Sequence, residues 1–263
     1  MIKHTMEYTT ISTEKKGNIG ILYLNRPEVL NALSETMRRE LVHYLGHVAK
    51  DETVKTLILS GKGKAFSAGA DLNMFKKAYE AFRKDGTVTE FGRTDLPMAF
   101  IDFPKPMIAA INGAAVGFGL TVSLTCDIRV AAEGAIFSCA FVRVGVTPEC
   151  GSSYFLPRLI GYARSAELAL TAKTIDAQEA LRLGLVNQVV PENELMRVAA
   201  EIASQISALP TDAVKMTKHI LRHGMQSTLE QVLPYEGLVF QQRTQTEEHY
   251  EAVCARLEAI KTK

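Results

Sequence analysis

Two stretches of this sequence share one arrangement, in which a short apolar run ends in a glycine-rich turn and the turn leads into a helix. The first run covers residues 54–60, and its turn leads to a helix predicted over 72–82. The second run covers 106–111, and its turn leads to a short apolar helix predicted over 117–125. Short apolar runs are typical of strands buried on both faces. Because strands that alternate with helices favour a mostly parallel sheet, the arrangement predicts an α/β fold.

The chain before and between these units also has clear local patterns. Residues 8–13 and 18–25 are rich in β-branched and aromatic side chains and predict a strand hairpin. Ser34 is placed to cap a helix over 35–50, whose apolar residues recur at helical spacing. The stretch 84–100 is polar and weakly periodic, so we expect a surface segment there.

The second half of the chain changes from strands to helices. Further strands are predicted at 127–132 and 135–138, and the pattern from Ser152 onward is helical except for the apolar run 185–190. Pro210 has the character of the first residue of a late helix.

The length of 263 residues suits one large core with a helical appendage. We therefore divide the chain into an α/β core over 1–195 and a C-terminal helical region over 196–263.

Composition argues against several classes of partner. The formal charge of +1, from 30 basic and 29 acidic residues, predicts no nucleic-acid partner. No stretch reaches the roughly 18 apolar residues of a membrane span, and the start MIKHTMEYTT lacks the apolar region of a secretory signal. The four cysteines form no CxxC pair, and the C-terminus is not an SKL-type address, so we expect a cytoplasmic protein.

The two glycine-rich turns, at 66–72 (FSAGADL) and 112–119 (NGAAVGFG), suit the stabilisation of a developing negative charge. A thioester oxygen becomes negative when the neighbouring carbon loses a proton, and backbone N–H groups at strand-to-helix turns can stabilise it. Either turn by itself also has a simpler interpretation, which is that it only reverses the chain. Neither turn matches G-x-G-x-x-G, and the nearby GKGK is not a P-loop.

Three motifs together resemble one known family. KAFSAGADL, INGAAVGFGLTVSLTCDIRVAA and LNRPEVLNALS are similar to the signatures of the crotonase (enoyl-CoA hydratase/isomerase) superfamily, and they are colinear with it over about 18–190. The resemblance implies the crotonase (ClpP-like) fold, which has repeated ββα units in a spiral core and a C-terminal helical region. It also implies an acyl-CoA substrate and a homotrimer or dimer of trimers formed through the C-terminal helices.

The resemblance further implies site residues. The oxyanion donors would be the N–H groups of Ala68 and Phe118, although Phe118 stands where the family usually has glycine. Arg26 would lie near the nucleotide end of CoA. The expected contacts with CoA along the first turn are Ala68, Gly69, Ala70, Asp71 and Leu72. The acyl pocket is expected where five side chains converge: Leu72, Phe75, Phe118, Phe141 and Phe155.

The number of carboxylates distinguishes the reactions of this family. Water addition is easiest with two carboxylates, but the glutamate positions of the hydratases match Thr121 and Phe141 here. Glu149, in TPECGSSYFLPRLIG, resembles the single acid of the peroxisomal-type Δ3,Δ2-enoyl-CoA isomerases, which have a P-E-x-x-S-S turn. A simpler interpretation is that Glu149 only favours the N-terminus of the following helix.

These observations predict an enzyme that shifts the double bond of 3-enoyl-CoA to trans-2-enoyl-CoA through a dienolate, with Glu149 as acid/base. Such a reaction needs no metal or redox cofactor, and CoA enters as part of the substrate. Two alternatives stay open, an enoyl-CoA hydratase or other crotonase-fold enzyme, and a non-catalytic acyl-CoA-binding or interaction module.

Other candidates are weaker. His43 and His47, and likewise His219 and His223, have a spacing that can bind zinc, but solvated helix faces are the preferred interpretation. Cys150 has no histidine near it in sequence and is expected to be a small apolar filler. Basic residues on one late helix face are either solvated or in contact with CoA phosphates: Lys215, Lys218 and Arg222.

Overall fold

The computed structural model describes residues 7–91 and 93–261. The two chain ends considered above, for a secretory signal and for a C-terminal address, therefore lie partly outside the described residues. No helix within the described ranges is both long and apolar enough to cross a membrane.

Strands and helices alternate through about the first two thirds of the chain, and the rest of it is helical after β10. The strands are β1 (Ile11–Lys16), β2 (Ile19–Leu24), β3 (Thr56–Gly61), β4 (Ala65–Ser67), β5 (Met107–Ile111), β6 (Ala114–Val116), β7 (Ile128–Ala132), β8 (Ile136–Ser138), β9 (Thr174–Asp176) and β10 (Gln188–Val190). The helices are α1 (Glu35–Lys50), α2 (Leu72–Asp85), α3 (Asp95–Ile101), α4 (Phe118–Leu124), α5 (Ser152–Ile160), α6 (Tyr162–Thr171), α7 (Ala177–Arg182), α8 (Leu195–Ser207), α9 (Thr211–Gly224), α10 (Leu229–Thr244) and α11 (Glu247–Lys261). The 3₁₀ turns are Pro27–Val29, Ala140–Val144 and Glu192–Glu194.

The strands form two sheets. The larger has the order β1-β2-β3-β5-β7-β10, and the smaller has the order β4-β6-β8-β9. The first hairpin, β1 and β2, is antiparallel as predicted, and β2, β3, β5, β7 and β10 are parallel neighbours. The pairs β3/β4, β5/β6 and β7/β8 each contribute one strand to each sheet. This repetition of ββα units is the architecture that the motifs predict.

The larger sheet is buried on both faces. Along β3, Leu57 and Leu59 join a core cluster that includes α1 and the smaller sheet, while Ile58 joins a second cluster on the opposite face. This alternation follows from the two-residue period of a strand. The second cluster is closed by Ala199 and Ala203 of α8, so the helix at the predicted domain boundary completes the core. The division at residue 195 and the assembly role of the later helices stay predictions.

Local predictions were confirmed where the pattern was strong. Helix α1 has the predicted bounds, and the Ser34 hydroxyl accepts the Met37 N–H at 3.1 Å. The stretch 84–100 differs from the prediction because it contains α3, a helix too short to show a period, which buries two apolar side chains. Strand β9 was missed for the same reason, and Pro210 is the residue before α9 instead of its first residue.

Helix α9 is attached to the core by buried charges. Lys218 Nζ lies 2.8 Å from Asp127 Oδ2 and donates to the Lys105 carbonyl at 2.7 Å. Arg222 Nη2 lies 3.2 Å from Asp127 Oδ1. Burial lowers the pKa of the Lys218 ammonium, and the Asp127 carboxylate opposes that effect. Lys218 and Arg222 are therefore tertiary contacts instead of solvated surface charges, and a contact with CoA phosphates across a subunit interface stays a prediction.

Candidate active site

A cavity of about 940 Å³ lies between the two glycine-rich turns, helix α2 and the segment before α5. Most of the residues that the sequence predicts for the site line this cavity. They are Ala68, Gly69, Ala70, Leu72, Phe75, Phe118, Phe141 and Glu149.

The two turns meet because β4 and β6 are parallel neighbours, with Ser67 paired to Ala115. Parallel strands carry their C-terminal ends to the same sheet edge, so both turns leave the sheet at one place. The turns are close enough to require glycine. A Cβ atom on Gly119 would lie 2.3 Å from the Ser67 carbonyl oxygen, and a Cβ on Gly69 would lie 3.3 Å from the Val116 carbonyl oxygen.

The amide of Ala68, predicted to be an oxyanion donor, is already used within the protein. The Ala68 N–H donates to the Leu30 carbonyl at 2.9 Å. Leu30 and Asn31 both have left-handed backbones, with φ of 51° and 56°. The left-handed conformation of these two residues brings the segment 30–33 alongside the first glycine-rich turn. The structure therefore corrects the assignment from sequence, because a donated N–H is not free for a substrate oxygen.

A free donor in the middle of this turn is the amide of Ala70. On its two sides, the Gly69 N–H donates to Ser67 Oγ at 3.3 Å and the Asp71 N–H donates to the Leu33 carbonyl at 3.0 Å. The Ala70 N–H has no hydrogen-bond acceptor among the described residues, and Ala70 lines the cavity. The amides of Ala68 and Asp71 thus bond to the segment 30–33 and that of Gly69 bonds to Ser67, which leaves the Ala70 amide for a ligand.

The second free amide is that of Phe118, as the resemblance implies. Phe118 is the first residue of α4, and the helical ladder begins when the Thr121 N–H donates to the Gly117 carbonyl at 3.0 Å. The first N–H groups of a helix have no intrahelical acceptor. Phe118 is only 1% exposed, and its side chain belongs to the core cluster. The change from the family's usual glycine therefore leaves the backbone donor in place.

Arg26 braces the first turn from outside the cavity lining. Its Nη2 lies 3.2 Å from Asp71 Oδ2, and its Nη1 donates to the Ala32 carbonyl at 2.7 Å. Asp71 also caps α2 by accepting the Asn73 N–H at 3.1 Å. Burial acts to raise the pKa of the Asp71 carboxyl, but these hydrogen bonds and the Arg26 charge outweigh it and lower the pKa. The predicted contact of Arg26 with the nucleotide end of CoA stays a prediction.

Glu149 lies in the loop before α5 and is the only acidic side chain among the described residues that line the cavity. Its carboxylate makes no hydrogen bond with the part of the chain that the structure describes. Glu149 is exposed, because solvent reaches its side chain through the open cavity. The surrounding protein nevertheless displaces enough water to raise the pKa of the Glu149 carboxyl. A raised pKa suits a group that must both take and return a proton near neutral pH.

The two positions that match the hydratase glutamates are apolar or buried. Thr121 is fully buried, and its hydroxyl donates to the Phe118 carbonyl at 3.0 Å, so it is directed into helix α4. Phe141 lines the cavity and supplies only a ring. No second carboxylate therefore accompanies Glu149 in the described lining.

The α2 side of the cavity is lined by further aromatic residues that were not predicted from the sequence. Tyr79 and Phe82 line it together with Phe75, whose ring packs edge-on against Phe91 with centroids 5.0 Å apart. The signal was present, because these α2 residues recur at spacings of three and four and the helix buries none of its residues. Phe155, expected in the pocket, is not in the lining and packs against a neighbouring ring, that of Tyr154.

The remaining candidates do not form a metal site within the described ranges. No cluster of three or more histidine, cysteine or acidic side chains there could hold an ion. His223 packs instead against the ring of Tyr235, with centroids 4.7 Å apart. Cys150 lines the cavity, and burial, with a smaller effect from the Glu149 charge, raises the pKa of its thiol to about 12. The thiol is therefore neutral at ordinary pH.

The raised pKa of Glu149 predicts a pH-dependent stability. Because the folded protein binds this proton more tightly than the unfolded chain, the stabilisation is present below the ordinary value of 4.5 and is lost as pH rises. Glu149→Gln has no such dependence. In urea denaturation at a series of pH values from about 4 to about 8, the free energy of unfolding of wild type relative to Glu149→Gln is expected to fall. For the surface control Glu167→Gln, the corresponding difference should rise with pH up to about 4.5 and be flat above it, because a hydrogen bond from Arg164 lowers the pKa of Glu167 below its ordinary value of 4.5. A flat or rising difference for Glu149 would contradict the raised pKa.

Comparison with known proteins agrees with this fold. The profile of the enoyl-CoA hydratase/isomerase family matches residues 14–263. The short-chain-enoyl-CoA hydratase of Clostridium acetobutylicum is 38% identical over 260 residues, which cover 97% of each chain. The crystal structure of an enoyl-CoA hydratase from Bacillus anthracis is 33% identical, with a TM-score of 0.85 over 95% of this chain and 97% of that one. A monofunctional enoyl-CoA isomerase from M. smegmatis is 32% identical, with a TM-score of 0.73 over 85% of this chain and 98% of that one.

The sheets, the paired turns and the cavity define a crotonase-fold protein. The chain belongs to the enoyl-CoA hydratase/isomerase family of the crotonase superfamily.

Proposed function

We propose that this protein converts 3-enoyl-CoA to trans-2-enoyl-CoA, with Glu149 as its single acid/base. The observation that carries the proposal is a cavity in whose described lining the free amides of Ala70 and Phe118 occur together with a single acidic side chain, that of Glu149. Shifting a double bond requires one group that removes a proton at one carbon and returns it two carbons along. Water addition is better served by two carboxylates that hold the water between them.

In the proposed reaction, the N–H groups of Ala70 and Phe118 donate to the thioester oxygen. Glu149 removes a proton from C2, the C–H electron pair forms the C1–C2 double bond, and the carbonyl electrons move to oxygen to give a dienolate. Glu149 then returns the proton to C4, where the electron pair of the C3–C4 π bond forms the new C–H bond. The C1–C2 π pair moves to C2–C3, and an electron pair on oxygen restores the thioester carbonyl. Each donor stabilises the oxyanion by about 3 kcal/mol.

The second candidate is an enoyl-CoA hydratase, which the names of the relatives favour. Under this alternative, Glu149 alone would have to activate the water and protonate the carbon. A non-catalytic acyl-CoA-binding module is the third candidate, and it predicts affinity for CoA thioesters without turnover.

A paired spectrophotometric assay separates the three candidates. We expect the wild-type protein to convert 3-hexenoyl-CoA to 2-hexenoyl-CoA and to add water to 2-hexenoyl-CoA at least about 100-fold more slowly, since one acid/base contributes about that factor. Brisk hydration of 2-hexenoyl-CoA would establish the hydratase instead. Binding without consumption of either thioester would establish the third candidate.

A further inference from the structure

The Glu149 carboxylate makes no hydrogen bond with any described residue, so its position in the cavity depends on its backbone. Where no hydrogen bond fixes a carboxylate, its direction follows from the position of its backbone and from the rotamers that this backbone allows. A proton shuttle needs its carboxylate within hydrogen-bond reach of two substrate carbons in turn. The contacts that fix the Glu149 backbone are therefore part of the catalytic arrangement.

Ser152 fixes this backbone with two donors. Its N–H donates to the Glu149 carbonyl at 3.0 Å, and its hydroxyl donates to the same oxygen at 2.9 Å. Ser152 is the first residue of α5 and is only 3% exposed, so water competes little for either bond. The hydroxyl bond thus connects Glu149, which lines the cavity, to the start of helix α5.

The turn between Glu149 and Ser152 needs such a constraint. Cys150 has a left-handed backbone with φ of 51°, which is unfavourable for a residue that has a Cβ atom. Gly151 follows with φ of 78°, and a Cβ there would lie 3.2 Å from the Phe155 ring. Strained turns persist where the surrounding contacts determine them. Without the hydroxyl bond, one backbone bond is left to hold Glu149 across this turn.

We propose that Ser152 is a positioning residue, whose hydroxyl holds the Glu149 backbone so that the carboxylate is directed at the reacting carbons. The inference rests on the proposed role of Glu149. Ser152 has no contact with the substrate in this arrangement, because it is outside the described cavity lining.

The test compares Ser152→Ala with Ser165→Ala. Ser165 is a matched control, since it is 5% exposed and its hydroxyl donates to the Gly161 carbonyl at 2.8 Å near the start of α6. Both variants lose one buried hydroxyl bond, and a comparable fall in melting temperature is expected for both. Ser152→Ala is expected to lower kcat for 3-hexenoyl-CoA about tenfold with KM within twofold of wild type, because a hydrogen bond contributes about a factor of ten. Ser165→Ala should keep both constants.

Each result has one meaning when Glu149→Gln is assayed beside these variants. Loss of kcat only in Ser152→Ala supports the inference. Unchanged kcat in Ser152→Ala, while Glu149→Gln is inactive, overturns the inference and leaves the proposed function standing. Equal loss of kcat in both serine variants, or a rise of KM in step with the fall in kcat, shows a structural role and also overturns it. Full activity of Glu149→Gln overturns the proposed function itself.

Discussion

Glu149→Gln is expected to lower kcat for 3-hexenoyl-CoA isomerisation about 10³-fold, since a positioned acid/base contributes 10²- to 10⁴-fold. The amide has nearly the shape of the carboxyl but cannot take up the C2 proton. KM should stay within about threefold of wild type, because the binding surfaces of the cavity are unchanged and the lost interaction belongs to the transition state. The measurement is the spectrophotometric assay, with exchange of the C2 proton for solvent deuterium followed in parallel.

Two controls make this result specific. Glu167→Gln removes an exposed carboxylate that pairs with Arg164 at 3.0 Å and should leave kcat unchanged. Calorimetric titration with a saturated acyl-CoA should show that Glu149→Gln still binds the thioester. Wild-type activity in Glu149→Gln, together with undiminished deuterium exchange, would mean that another group is the base.

Replacing the Ala70 amide by an ester is expected to lower kcat by about 10² to 10³-fold, the usual effect of losing one oxyanion donor. Lactic acid introduced at position 70 removes the N–H and retains the methyl side chain. The effect follows from the free Ala70 amide, whose neighbours at Gly69 and Asp71 are both already donated. Single-turnover kinetics with 3-hexenoyl-CoA would measure the change at the chemical step.

The same ester at Ala68 is the matched control, because it alters the same residue type two positions earlier. There the lost N–H donates to Leu30, so the expected effect is a loss of about 1 kcal/mol in the free energy of unfolding with little change in kcat. If the ester at position 68 were the damaging one for kcat, the oxyanion donor would be Ala68, as the sequence motif implied.

Family membership does not by itself decide between the reactions. The chain resembles proteins named hydratases and a protein named an isomerase at similar identity, between 32% and 38%. One fold hosts several chemistries, and the reaction depends on the groups that the site supplies. In the described cavity lining, those groups include the Glu149 carboxyl with its raised pKa and the free amides of Ala70 and Phe118. The assays proposed above therefore test the groups on which the reaction depends.

Much of the architecture was predictable from local pattern. The spacing of apolar residues and the Ser34 cap determined α1 to the residue. The hairpin, the buried strands and the two turns followed from side-chain type and glycine placement, and three colinear motifs indicated the family. These features depend on interactions between residues close in sequence, whose period and turn chemistry can be read directly. The position of Glu149 before a helix and the two missing hydratase carboxylates were likewise visible without coordinates.

Other properties depended on residues that are distant in sequence. Which amide of the first turn is free is decided by Leu30 and Leu33, which take the N–H groups of Ala68 and Asp71. Basic side chains on α9 became buried partners of Asp127 by the same kind of long-range contact. Every backbone N–H in the turn is chemically alike, so the sequence determined that donors would be present there. Only the tertiary structure decided which of them remains unbonded, because each buried donor must find an acceptor and the fold supplies the acceptors.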